Sequence, residues 1–97
     1  MAHFLVEYGE LGNREGREAH RGDHIAYRKG LGEAMRLAGP LLDEAERPVG
    51  SVVIIEADDP GEAERIARAD PYVTHGVVAL ASVRRYRIAA MKPPAKG

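Results

Sequence analysis

A histidine and an aspartate with a proline behind it carry most of the chemistry legible in this chain. His24 closes the tetrapeptide Arg21-Gly22-Asp23-His24 ahead of the first helical run, and Asp70 opens Asp70-Pro71-Tyr72 after the second. An imidazole takes or gives a proton near neutrality, and a carboxylate that fixes its tautomer makes the two an acid–base pair. Each residue also has a plain structural reading. His24 shares a helical stripe with Tyr27, three residues on, where a half-buried ring fills space. Asp70 before a proline is an ordinary helix N-cap, and one carboxylate has lone pairs enough both to cap and to hold a histidine. Arg21 offers a guanidinium for an anionic substrate group, or a solvated charge. Tyr72 and Tyr8 offer ring walls and hydroxyls to a pocket, or fill core and rim. His3, His20 and His75 have no spacing that makes a metal triad with a carboxylate and read as surface residues, so no metal is expected.

Elements must bring residues 24 and 70 together. Residues 3–8 alternate as a strand with Phe4, Val6 and Tyr8 on one face. Residues 9–22 hold four glycines and six charges and read as an exposed loop. Asp23 is then the N-cap of a helix in which Tyr27, Leu31, Ala34 and Ala38 recur at helical spacing. Gly39 ends it in the left-handed C′ conformation and Pro40 bars its continuation. Leu41 to Ala45 make a short strand, Glu46-Arg47-Pro48 the turn, and residues 49–57 a strand whose run Val52 to Ile55 is apolar on both faces. Asp59-Pro60-Gly61-Glu62 is a helix start with an N-cap, a proline at N1 and a glutamate at N3. After Gly76, residues 77–88 form the last strand. Residues 1–90 make one domain and 91–97 a flexible tail.

The order β-α-β-β-α-β is the ferredoxin-like α+β arrangement, a four-stranded antiparallel sheet with two helices on one face. The two-sided run Val52–Ile55 leaves apolar surface on the other face. A second copy packed sheet to sheet, a homodimer, covers it.

Four short pieces in order also resemble the YciI-like (YCII-related) family: Arg21-x-x-His24, Gly39-Pro40-Leu41, Gly50-Ser51, and Asp70-Pro71-Tyr72 with Gly76, spanning roughly residues 3–88. The resemblance implies the dimeric α+β barrel fold and a His24–Asp70 active-site pair. It includes a chlorinated hydroquinone dehydrochlorinase among its known enzymes, and isomerases and cofactor-free oxygenases in the wider superfamily. The long stretch before Arg21 departs from the family's shorter approach to the helix.

Composition narrows the partners. Ninety-seven residues with 44% hydrophobic and 30% charged content describe one ordinary globular domain. Fourteen basic against fifteen acidic residues give a net charge of −1 and no general attraction to nucleic acid, although Arg84, Arg85 and Arg87 cluster. The absence of cysteine removes disulfides, thiolate nucleophiles and zinc–thiolate sites. No stretch approaches the roughly 20 apolar residues of a membrane span, and no secretory signal opens the chain, so the expected location is cytoplasmic. Two functions stay open at this point. One is a cofactor-free enzyme moving a proton on a small cyclic or aromatic compound, with HX elimination or isomerisation. The other is a non-catalytic dimer that binds a small ligand or a protein.

Overall fold

The computed structural model describes residues 1–92. Of the expected tail, 93–97 lies outside the described residues. The chain runs β1 (Ala2–Glu10), α1 (Arg14–Gly30), a 3-10 turn (Gly32–Ala34), β2 (Met35–Leu42), β3 (Pro48–Ala57), α2 (Pro60–Arg68), a one-turn α3 (Pro71–Thr74) and β4 (Val78–Tyr86). The strands form one antiparallel sheet in the order β2-β3-β1-β4, which is the ferredoxin-like topology. No helix among the described residues is long and apolar enough to cross a membrane.

One face of the sheet makes the core. Phe4, Val6 and Tyr8 of β1 alternate inward beside Val53, Ile55 and Ala57 of β3, and Ala63, Ala67, Tyr72 and Val77 pack over them. Small alanines on α2 let that helix lie close to the strands. On the opposite face the register sets Leu5 beside Ile54, and Ile54 beside Leu37. Leu37 is half exposed there. The start of α2 follows the sequence closely: Asp59 accepts from the Glu62 amide at 2.8 Å, with Pro60 at the first turn. Glu62 reaches back to the amide of Asp58, one residue earlier than a standard capping box, at 3.2 Å.

The first helix and the strand after it differ from the sequence expectation. α1 begins at Arg14, inside the segment read as a loop, because Asn13 is its N-cap and accepts from the Gly16 amide at 3.0 Å. Asp23 is an exposed mid-helix residue. The polar, helix-favouring residues of 14–23 outweigh Gly16 and Gly22, which cost about 1 kcal/mol each relative to alanine. The helix stops eight residues earlier than expected, with Leu31 as C-cap and Gly32 turning left-handed at φ +56°. Gly39 and Pro40 therefore lie inside β2. Pro40 is tolerated because β2 is an edge strand, where a missing N–H breaks no ladder. The hairpin turn falls at 43–47, organised by Asp43 accepting from the amides of Ala45 and Arg47 at 2.9 Å each.

The cap geometry yields a test. Asp59→Ala is expected to cost about 1 kcal/mol in urea melts, while Asp58→Ala, whose side chain makes no capping bond here, changes little. Overlapping curves for Asp59→Ala and the parent would refute the assignment.

Candidate active site

The last turn of α2 is where the site begins. Its terminal carbonyls lack intrahelical partners, and two tyrosine hydroxyls supply them. Tyr27 of α1 donates to the Ile66 carbonyl at 2.7 Å, and Tyr8 of β1 donates to the Ala67 carbonyl at 3.0 Å. These bonds tie α1 and β1 to the end of α2, three residues before Asp70.

Asp70 is completely buried and is the one buried charged residue among those described. Its Oδ1 caps α3 by accepting from the Tyr72 amide at 2.9 Å. His24 Nδ1 lies 2.8 Å from Oδ1 and 3.0 Å from Oδ2, and Arg28 Nε donates to Oδ2 at 2.9 Å. A buried carboxylate is tolerable when its charge is balanced and its lone pairs are used, and here both conditions hold. Because the carboxylate only accepts, it fixes the proton of a neutral His24 ring on Nδ1 and leaves the Nε2 lone pair as an acceptor. Nε2 makes no hydrogen bond among the described residues, and the ring lines a cleft. The Tyr72 ring stacks on that of His24 at 3.9 Å and 3°, which fixes the imidazole plane.

The cleft holds about 270 Å³, the scale of a single substituted ring. One wall carries His24, Arg28 and Tyr72, and the other Ala38, Pro40 and Ser51 of β2 and β3. Close strand approach at its floor requires Gly50, where a Cβ would meet the Tyr8 carbonyl oxygen at 2.5 Å. Arg17 of α1 lines the cleft too, pairing with Glu10 and lying 5.0 Å over the Tyr72 ring. A larger hollow of about 390 Å³ lies beside His3, Arg85 and Arg87. His3 there is partly buried rather than a surface residue, with Nε2 unbonded and 3.6 Å from Glu56. No hydrogen-bonded carboxylate orients it, so the smaller cleft is the stronger candidate.

The expected residues separate into two groups. His24 and Asp70 meet, and Tyr72 lines the same cleft. His24 is a mid-helix residue, so its expected position at a helix start does not hold. Arg21 is exposed and outside the cleft lining. Tyr8 is buried beneath the site with its hydroxyl committed to Ala67, so it supports the site from below. Arg17 and Arg28 went unrecognised in the sequence. For Arg28 the signal was present, since it sits four residues after His24 and so on the same helix face. His20 and His75 stack with ring centroids 3.6 Å apart, joining α1 to the end of α3. No cluster of three metal-ligating groups occurs among the described residues.

Burial pushes the Tyr8 hydroxyl up to about 12, the Arg28 guanidinium pulling against it and the Asp70 carboxylate adding to it. Tyr27 is raised as well, first by burial and then by Asp70. An unfolded tyrosine ionises near pH 10, so above that pH the unfolded chain releases a proton that folded Tyr8 keeps. The stability due to Tyr8 is thus complete below pH 10 and is lost as pH rises to about 12. Urea midpoints are expected to fall across this window, and less steeply in Tyr8→Phe. Parallel profiles would exclude Tyr8 as the cause.

Comparison with known proteins agrees with this architecture. Among solved structures, the chain is similar to 5-chloro-2-hydroxyhydroquinone dehydrochlorinase (TftG) from Burkholderia phenoliruptrix AC1100, in complex with 2,5-dihydroxybenzoquinone. The TM-score is 0.72 at 24% identity, covering 90% of this chain and 94% of that one. At that identity the likeness establishes the fold. No curated protein matches the chain. The model of the YCII-related domain matches residues 1–87, nearly the whole of the described sequence. This chain belongs to the YCII-related family.

Proposed function

We propose that the protein is a small enzyme that needs no cofactor and transfers a proton on a small cyclic or aromatic compound, the outcome being HX elimination or isomerisation. The observation that carries this reading is the His24–Asp70 hydrogen bond at the side of a ring-sized cleft. His24 Nε2 is the general base, Asp70 holds its tautomer, and Tyr72 holds its plane. The TftG likeness supports a ring substrate by analogy, since that structure carries 2,5-dihydroxybenzoquinone.

We also infer that the working unit is a homodimer, packed through the sheet face opposite the helices. Leu5 and Val52 point to that face, as do Leu37 and Leu41, which stay 50% and 41% exposed in the single chain. An apolar sheet surface of this kind favours burial. Sedimentation of the native chain at micromolar concentration is expected to show a dimer, and Val52→Asp to shift it toward monomer or aggregate. A clean monomer for the native chain would contradict the inference.

A thermal-shift screen of hydroxyquinones, lactones and muconate-type compounds, followed by turnover assays on the hits, tests the function. With a responding substrate, His24→Ala is expected to lower turnover by about 10²- to 10⁴-fold, the usual contribution of a positioned acid–base group. Asp70→Asn is expected to lower it by a smaller factor. An asparagine still caps α3 but presents one accepting oxygen where three donors converge. Hits that bind without turnover, in parent and His24→Ala alike, would favour the non-catalytic binding module instead.

A further inference from the structure

Arg28 is the residue of the cleft that the proton-transfer reading leaves unused. Its Nε donates to Asp70 Oδ2 at 2.9 Å, and its guanidinium carbon lies 5.6 Å over the Tyr8 ring. Three restraints hold the group: the carboxylate, the ring, and the helix turn that sets it four residues after His24. A guanidinium has five N–H donors, of which the Nε–H is given to Asp70 and one further donor to the Tyr8 hydroxyl, whose ionisation that hydrogen bond favours. Nη donors remain beyond these two bonds, on a side chain only 16% exposed that lines the cleft. Arg17 lines it as well, but its Nη2 is taken by Glu10.

We infer that Arg28 holds the oxygen on which negative charge develops when His24 accepts a proton, so that the site is built for ring substrates reacting through an enolate or phenolate. This rests on the proton-transfer reading proposed above. In the step, the proton of a C–H next to a carbonyl, or of a ring hydroxyl, passes to His24 Nε2. The bonding pair moves onto the carbonyl or phenol oxygen, which becomes O⁻ and accepts from the Arg28 Nη groups. In an elimination that pair returns to form the new double bond and expels halide with the carbon–halogen electrons; in an isomerisation His24 returns the proton to another carbon. Neither route needs an oxidant or reductant. One carboxylate positions both groups, because His24 and Arg28 grip adjacent oxygens of Asp70. Such preorganised donors are the usual means of stabilising a developing oxyanion.

The test uses two ring probes of similar size, 2,5-dihydroxybenzoquinone, an anion at neutral pH, and uncharged hydroquinone. Calorimetric titration of the native protein is expected to show preference for the anion. Arg28→Met should lose about tenfold or more in affinity for the anion, as for a lost charge-assisted hydrogen bond, with little change for hydroquinone. His24→Ala should keep the preference. Because Arg28→Met removes a partner of a buried carboxylate, its fold is checked by circular dichroism. If it unfolds, Arg28→Lys takes its place, keeping the charge but not the two-armed reach, and should lose part of the preference. Equal binding of both probes by the native protein, or undiminished preference in the folded Arg28 variant, would overturn the inference alone. Binding of neither probe would overturn the ring-substrate reading with it.

Discussion

The structure around the cleft depends on a single buried carboxylate. Asp70 has no exposure to water, so its charge is sustained only by the groups that reach it. They come from two elements: the Tyr72 amide from α3, and the His24 and Arg28 side chains from α1. α1 is otherwise weakly anchored, for among its described residues none is fully buried. What fastens the helix is polar and stacked: the knot at Asp70, the Tyr27 hydroxyl on α2, and the Tyr72 ring against His24. Removing one member of such a network leaves the others with unpaired buried groups, the costly outcome for buried polar clusters.

The same constraint shapes the cleft chemically. A carboxylate that accepts everywhere leaves the far edge of the imidazole as an acceptor and the far edge of the guanidinium as a donor. On the reading proposed above, base and oxyanion donor are thereby presented side by side on one helix face. The opposite wall carries the apolar Ala38 and Pro40 together with the Ser51 hydroxyl. For the ring substrate proposed above it offers no base that competes with the imidazole for the proton.

Much of this was legible in the sequence where one local rule governed the outcome. The β3 run Val52–Ile55, the Asp59-Pro60 helix start and the Asp70-Pro71 turn are all fixed by neighbours within a few residues, and each lies where its pattern places it. The pairing of His24 with Asp70 was legible as chemistry and by family likeness, but not from spacing, since 46 residues separate them. α1 was obscured because its inward stripe consists of histidine, tyrosine and arginine stems rather than aliphatic residues, so apolar periodicity missed its first half. With the helix start displaced to Asp23, Arg17 fell in a supposed loop. Arg21, next to the expected helix start, is exposed outside the cleft, and Arg28, further along the helix, lines it. β2 was lost for a related reason. The alternation of Leu31, Ala34 and Ala38 mimics a helix, while the actual stop is Gly32, whose left-handed turn competes with the Gly39-Pro40 signal. Local rules did not decide between two glycines, and pairing with β3 did.

The placement of the His24 proton on Nδ1 by Asp70 underlies the chemistry proposed for the cleft. Imidazole ¹⁵N chemical shifts of His24, measured on the native protein at a pH where the ring is neutral, test this directly. A protonated Nδ1 and an unprotonated, pyridine-like Nε2 are expected, the reverse of the tautomer that free histidine favours. A ring protonated at Nε2 under those conditions would mean that Asp70 does not set the tautomer and that Nε2 is not free to take a proton.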